Sequence, residues 1–280
     1  MAAQLTATLD TDIEKARVFY MWLVKNVRYD CKKFHNRKSP DIKAVSKKDY
    51  DQKLALYREK QLEKTIKRKK GICDDYSRLF KSLCDEVGVE SEIIIGVARD
   101  HGRPFRKVHK NSHAWNAIKL EGKWHLLDAT WGAGYTNAKV TKFSRRVTSS
   151  FFLTAPTLFA QNHLPNDEKW QLLESPISKK EFPNQPILDY ASEKYKIEAF
   201  SNDVLQVKGD SNLKQIWIEF ETAPKEFRIL SKTGKKIPFS KTENEGMVVL
   251  SISGSVRQNI FIYAGEKLMG KMDRIGGYKL

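Results

Sequence analysis

The chain opens with apolar residues at helical spacing and closes with apolar residues that alternate as they do in strands. Thr11 and Glu14 form a capping-box pattern directly before the first apolar stripe, which predicts a helix ending near Asn26. The polar and basic residues 28–46 indicate a long loop. A second helix is predicted over residues 48–69, with its stop at the glycine that follows.

A third helix is predicted to begin at Cys73, because an apolar stripe follows this residue at helical spacing as far as Gly88. The pattern then changes to that of strands, and Glu121-Gly122 is a tight-turn signal between the second strand and the third. A helix followed by an antiparallel hairpin is therefore expected. The three predicted strands are Ser91–Ala98, His113–Leu120 and Trp124–Ala129.

Residues 130–190 are rich in proline and loop-forming residues, whereas the chain beyond them shows only strand patterns. Short strands separated by turn signals are typical of a small β-sandwich. We therefore predict an α+β fold with two domains, a core over residues 1–190 and an immunoglobulin-like β-sandwich over residues 191–280. The predicted strands of the second domain are residues 195–199, 204–208, 215–221, 226–230, 247–252, 259–263 and 267–272.

Basic residues are concentrated in one part of the chain. The 280 residues carry 50 Lys and Arg against 34 Asp and Glu, a net charge of +16, and residues 25–70 hold 17 basic and 6 acidic residues, or +11 of that total. This region could attract an acidic protein surface, an acidic polysaccharide, nucleic acid or anionic lipid, or it could be a solvated helix face and loop. Aromatic residues do not alternate with the basic ones and no nucleic-acid-binding motif is found, so specific nucleic-acid binding is not expected.

No apolar stretch of the sequence is long enough for a membrane span, and charged residues among the first twenty are unlike the apolar core of a signal peptide. Three cysteines without paired spacing do not indicate a disulfide framework. Cys73 and Cys84 lie too far apart along one helix to form a disulfide. Cys84 has the position of a small buried apolar residue, and the environment of Cys31 is left open.

Cys73, His113 and Asp128 form a candidate catalytic triad. Cysteine is reactive as a thiolate, which a helix N-terminus or a neighbouring histidine favours, and Cys73 begins a predicted helix. With Glu121-Gly122 as the turn, His113 and Asp128 lie on one face of the hairpin as diagonal neighbours, within reach of a hydrogen bond. Taken alone, Cys73 could be a structural cysteine, and His113 and Asp128 could be a surface pair. Their joint occurrence favours a nucleophile, a base and an orienting acid.

Three segments around these residues resemble the transglutaminase-like superfamily, whose core is a papain-type cysteine fold: residues 71–80 (GICDDYSRLF), 113–116 (HAWN) and 122–132 (GKWHLLDATWG). The flanks resemble a subgroup, the kyphoscoliosis-peptidase-like proteins, at residues 14–17, 26–30, 163–165 and 170–173. The resemblance extends over about residues 10–188 and implies a papain/transglutaminase-like core ahead of the small all-β sandwich domain.

The resemblance assigns Cys73 as nucleophile, His113 as base and Asp128 as the residue that orients His113. It implies attack on a peptide or glutamine carboxamide carbonyl to give a thioester, with the Cys73 backbone N–H as one oxyanion donor. Water or a lysine amine could resolve the thioester, so a cysteine peptidase and a protein-glutamine acyltransferase both fit. Trp115 and Trp131 are candidates for the walls of a substrate-binding groove, with core packing as the alternative.

No cofactor is predicted, and no metal site. His109 and His113 are four residues apart, but that spacing brings two rings together on a helix, and this segment has a strand pattern. The expected partner is a protein or peptide substrate, acidic ones included, and the resemblance implies an extracytoplasmic bacterial protein. The second hypothesis is a catalytically inactive transglutaminase-like protein that docks an acidic partner through residues 25–70.

Overall fold

The computed structural model describes residues 1–99, 112–188, 194–201, 205–207, 210–254, 259–266 and 272–278. This part of the chain forms two compact units, the first made of residues 1–96 and 112–154 and the second of residues 97–99 and the described residues from 155 onward. The domain boundary predicted after residue 190 therefore lies inside the second unit. The sequence signals no break at residue 154, because the stretch rich in loop-forming residues continues on both sides of it.

The three predicted helices of the first unit are present, together with three short helices that the sequence pattern does not indicate. The Glu14 N–H donates to the Thr11 hydroxyl at 3.4 Å and the Thr11 N–H donates to the Glu14 carboxylate at 3.1 Å, so the capping box is confirmed. Among the described residues, the helices of this unit are Ala2–Leu5, Asp12–Asn26, Cys31–His35, Lys47–Arg68, Cys73–Glu86 and Ala129–Ala133.

The loop predicted over residues 28–46 contains two short elements. Arg28–Tyr29 is a strand that runs parallel to Lys70–Gly71, and the side chain of Asp30 caps the helix Cys31–His35. Elements of two to five residues have no apolar periodicity, so the sequence pattern cannot reveal them.

The helix Lys47–Arg68 ends before the glycine stop that the sequence indicates. Lys69 adopts the left-handed conformation that ends the helix, with φ of 50°. Gly71 is paired with Tyr29 in the parallel strands instead, and it leads directly into the Cys73 helix.

The predicted hairpin is part of an antiparallel sheet. Positive φ angles at Glu121 and Gly122 form the tight turn, and pairing of Leu120 with Lys123 gives the register that the sequence predicts. In sheet order, the strands of the first unit are Phe152–Thr154, Lys123–Leu127, His113–Leu120 and Ser91–Ala98. A second pair of strands joins Gly134–Thr136 to Phe143–Arg145.

The apolar stripe of the Cys73 helix is buried between the hairpin and the helix Asp12–Asn26. One apolar cluster unites these three elements, and full burial of each Leu or Phe side chain contributes about 1.5–3 kcal/mol. The cluster thereby fixes the start of the Cys73 helix relative to the hairpin. Its members include Phe19, Tyr20, Leu23, Tyr76, Leu79, Phe80, Leu83, Ile118 and Leu127.

The second unit contains a β-sandwich, because two antiparallel sheets contribute to a single buried apolar cluster. One sheet has the strand order Ile187–Leu188, Asp273–Tyr278, Ile260–Gly265, Glu226–Ser231 and Lys236–Ile237. The other has the order Ile197–Phe200, Asp210–Phe220, Met247–Ser253 and Ser240–Asn244, with Leu205–Val207 also paired to Asp210–Phe220. The remaining elements are Pro156–Phe159, His163–Pro165, Glu168–Gln171 and Phe182–Asn184.

The predicted α+β fold class is confirmed, with local differences in the sandwich. The strand Ser240–Asn244 is not predicted, because all five of its residues are exposed and carry no apolar alternation. The strand Asp273–Tyr278 is not predicted, because two glycines interrupt its apolar pattern. Of the strand predicted over residues 267–272, only residue 272 lies within the described residues. In the described part of the chain, no helix combines the length and the apolar character that crossing a membrane requires.

Candidate active site

Cys73 is the first residue of its helix and is only 6% exposed. Ile72 before it is extended, with φ of −98° and ψ of 177°, so the helix begins abruptly at Cys73. The first N–H groups of a helix have no acceptor within the helix, and they form the positive end of its dipole. This position favours a thiolate on Cys73 and offers N–H donors to a developing negative charge.

His113 and Asp128 form a buried hydrogen-bonded pair. The Nε2 atom of His113 lies 2.6 Å from Oδ2 of Asp128, and the two residues are 8% and 0% exposed. His113 begins its strand and Asp128 directly follows the strand paired with it, so the hairpin register brings together two residues 15 positions apart. The diagonal placement predicted from the turn is what the structure shows.

The second carboxylate oxygen of Asp128 is also occupied. Oδ1 accepts hydrogen bonds from the backbone N–H groups of Thr130 at 2.8 Å and Trp131 at 3.0 Å, because Asp128 caps the short helix Ala129–Ala133. The strand predicted over Trp124–Ala129 thus ends at Leu127, because Asp128 is the N-cap of the next helix. The two backbone donors fix which oxygen of Asp128 faces His113.

The charge state of His113 follows from competing effects. Burial lowers the pKa of His113, but the charge of Asp128 and hydrogen bonds to Asp128 and Cys73 outweigh burial and raise the pKa from 6.5 to about 10. Because Nε2 faces Asp128, the other nitrogen, Nδ1, is left for the thiol. The pKa of His113 in the unfolded chain is near 6.5. Protonation of His113 therefore stabilises the fold fully below pH 6.5, and this stabilisation is lost as the pH rises towards 10.

Comparison with known proteins identifies the family that the part of the chain around this site resembles. The family model described as the transglutaminase-like superfamily matches residues 1–129, a range that contains Cys73 and His113 and ends one residue after Asp128. The chain carries a transglutaminase-like core. The chain is similar to kyphoscoliosis peptidase of Homo sapiens, with 31% identity over 186 residues, which is 66% of this chain and 25% of that protein. The chain is also similar to Hillarin of Drosophila melanogaster, with 29% identity over 225 residues, which is 72% of this chain and 25% of that protein.

These relatives place the transglutaminase-like core in the kyphoscoliosis-peptidase-like subgroup, as the sequence predicts. The chain spans about a quarter of the length of the curated relatives it matches. The roles of Cys73, His113 and Asp128 stay predictions that the geometry of the transglutaminase-like core supports.

The two tryptophans predicted to line a substrate-binding groove both lie close to His113. The ring of Trp115 stacks 6.1 Å from the imidazole and that of Trp131 lies 5.5 Å from it. Trp115 is only 1% exposed, so here it packs beside His113 as a core residue, and the structure does not support its predicted contact with substrate. Trp131 is half-buried and also packs edge-on against Phe151, 5.4 Å away, so its predicted role is compatible with the structure.

The other two thiols of the transglutaminase-like core have different environments. Cys84 is fully buried, and burial raises its pKa to about 12, in agreement with the predicted apolar role. Cys31 is half-buried and its pKa is raised, first by burial and then by the nearby charge of Asp30. Neither thiol has an environment that favours the thiolate, whereas Cys73 is next to His113. Of the two histidines considered for a metal site, His109 lies outside the described residues.

Sequence reasoning misses one ion pair beside the nucleophile. Lys33 Nζ lies 2.7 Å and 2.8 Å from the two carboxylate oxygens of Asp75, a residue that is 3% exposed and two positions after Cys73. Asp75 belongs to the motif at residues 71–80. Its partner Lys33 lies 42 positions earlier, in the segment predicted to be a loop. Nothing in the local pattern around Lys33 indicates this contact.

Proposed function

We propose that the chain is a thiol acyl-transfer enzyme of the transglutaminase-like type, acting on peptide or glutamine carboxamide carbonyls. The observation that carries this proposal is the buried His113–Asp128 pair beside Cys73 at the start of a helix. A raised His113 pKa keeps the imidazole protonated near neutral pH, which favours the thiolate of Cys73 by direct attraction.

The reaction requires only these three side chains and backbone donors. The Cys73 thiolate attacks the carbonyl carbon, a C–S bond forms, and the carbonyl oxygen becomes an oxyanion that the Cys73 backbone N–H stabilises. The C–N bond then breaks as His113 gives its proton to the leaving amine or ammonia, leaving a thioester. Water or a primary amine attacks the thioester, loses a proton to His113 and releases Cys73. Hydrolysis and cross-linking differ only in this second nucleophile.

Labelling by a thiol-directed acyl-enzyme probe, followed by mass-spectrometric mapping of the cysteines, tests the proposal. We expect the label on Cys73 at pH 6–7, with Cys84 unmodified because it is fully buried with a pKa raised to about 12. Protein unfolded in denaturant is the control, since all three thiols should then react at similar rates. Similar labelling of Cys73, Cys84 and Cys31 in the folded protein would contradict the proposal.

A second candidate function is docking of an acidic protein partner through residues 25–70, and one observation favours it. The helix Lys47–Arg68 exposes three large apolar side chains, Tyr50 at 39%, Leu56 at 57% and Tyr57 at 38%. The same helix carries eight basic residues against four acidic ones. Exposed apolar side chains among lysines fit an acidic surface that also offers apolar contacts.

Retention on immobilised poly-glutamate, eluted with salt, tests this docking face. The double variant Lys60→Glu/Lys64→Glu should elute at clearly lower salt than the wild type, because it reverses charge on the exposed helix. Lys179→Glu/Lys180→Glu changes the net charge equally in the second unit and is the matched control. Equal loss of retention in both variants, or stronger retention of the wild type on DNA or anionic vesicles than on poly-glutamate, would reject the acidic protein partner.

A further inference from the structure

The carboxylate of Asp75 organises the start of the Cys73 helix. Oδ2 of Asp75 accepts a hydrogen bond from the Ile72 backbone N–H at 2.8 Å, directly before the nucleophile. A Cβ added to Gly71 would lie 2.7 Å from Cβ of Asp75, so the incoming backbone packs against this side chain with no room to spare. Asp75 therefore holds the two residues that precede Cys73.

Lys33 forms an ion pair with the same carboxylate. Its ammonium group reaches both carboxylate oxygens, at 2.7 Å and 2.8 Å, while about a third of the Lys33 side chain is exposed. The Lys33 backbone N–H donates to the side chain of Asp30 at 3.0 Å, and its ammonium group lies 3.5 Å from Oε1 of Gln61 on the helix Lys47–Arg68. This lysine therefore has a defined position, unlike an ordinary surface lysine.

We propose that Lys33 and Asp75 are a positioning pair for the nucleophile, with two separate effects. Asp75 fixes the backbone that presents Cys73, and Lys33 neutralises the carboxylate charge that would otherwise disfavour a thiolate two positions away. The inference rests on the proposed role of Cys73. It assigns to one lysine of the basic region a task inside the active site rather than on a docking surface.

Other charged and titratable groups around Cys73 set the background for this effect. His113 approaches from the hairpin with its partner Asp128, and Tyr29 interacts electrostatically with Cys73 from the short parallel strand. On the Cys73 helix itself, Asp74 is half-buried and pairs with Arg78, with 2.8 Å between Oδ2 and Nε. Lys33 is thus the cation that directly contacts the buried carboxylate of this helix turn.

The pH dependence of Cys73 alkylation by iodoacetamide, followed peptide by peptide, tests the charge effect. Lys33→Met leaves the buried Asp75 carboxylate without its cation, two positions from the thiolate, so the midpoint of the rate profile should rise by roughly 0.5–1 pH unit. Asp75→Asn removes the negative charge and keeps an oxygen for the Ile72 N–H, so the midpoint should fall. The double variant Lys33→Met/Asp75→Asn should return close to the wild-type midpoint, and Lys33→Arg should retain it.

Opposite shifts distinguish a positioning pair from a structural one. If the pair only stabilises the fold, both single variants lower the unfolding temperature while the midpoint of Cys73 alkylation stays in place, which would overturn the inference. Lys53→Met is the matched control, because it removes a lysine from an exposed i,i+4 pair with Asp49; an equal shift there would also overturn it. Alkylation needs no substrate, so failure of the acyl-transfer proposal would appear separately, in the probe labelling.

Discussion

Cys73→Ala should abolish acyl transfer while leaving the fold intact. Cys73 carries the only thiol that contacts the His113–Asp128 pair among the described residues, so its loss removes the atom that forms the thioester. Alanine is smaller and keeps the helical backbone, and Cys73 is not a member of the main apolar cluster of the first unit. Removal of the nucleophile from a catalytic triad lowers turnover by roughly 10⁴-fold or more.

Two assays compare Cys73→Ala with the wild type. Incorporation of a labelled amine into a glutamine-containing protein measures attack of an amine on the thioester, and cleavage of a fluorogenic peptide pool measures hydrolysis. Cys84→Ala is the matched control, which should retain the rate provided that its unfolding temperature shows a folded protein. An activity that Cys73→Ala retains at the wild-type rate would contradict the enzyme proposal. The acidic-partner function, with its docking face on the helix Lys47–Arg68, would then be the better account.

The relation between His113 and Asp128 is predictable because it depends on local patterns. Alternation of apolar residues marks both strands, and Glu121-Gly122 is a turn of two residues with one favoured geometry. Once the turn is fixed, every pairing along the hairpin follows from counting. The start of the Cys73 helix is equally local, since its apolar stripe begins directly after the cysteine.

The features that the sequence does not reveal depend on contacts between distant segments. Lys33 meets Asp75 only because the strand Arg28–Tyr29 runs beside Lys70–Gly71, and two-residue strands have no periodicity. Trp115 shares its strand face with His113, as predicted, yet alternation cannot tell a buried face from a groove. Its exposure is decided by what packs over that face.

Asp128→Asn should lower acyl transfer, but by less than the roughly 10⁴-fold loss that the comparable change causes in the best-studied serine triad, because cysteine is the better nucleophile. The reason for the loss lies in the two backbone N–H groups, of Thr130 and Trp131, that donate to Oδ1 of Asp128. In the variant these donors hold the amide oxygen, so the amide nitrogen faces Nε2 of His113. Nε2 must then accept a hydrogen bond, the proton moves to Nδ1, and the nitrogen that should take the Cys73 proton is already occupied.

The titration of His113 separates this explanation from a loss of stability. In the wild type Asp128 raises the pKa of His113 to about 10, so its imidazole signals in NMR should stay those of the protonated ring through neutral pH. In Asp128→Asn the charge of Asp128 is gone and burial remains, so the pKa of His113 should fall well below its wild-type value. Asp128→Glu keeps the charge and should retain a raised pKa even where its longer side chain impairs turnover. The alternative is that Asp128→Asn leaves the His113 titration as in the wild type and loses activity only in proportion to partial unfolding. That result would show that Asp128 acts only as the cap of the helix Ala129–Ala133.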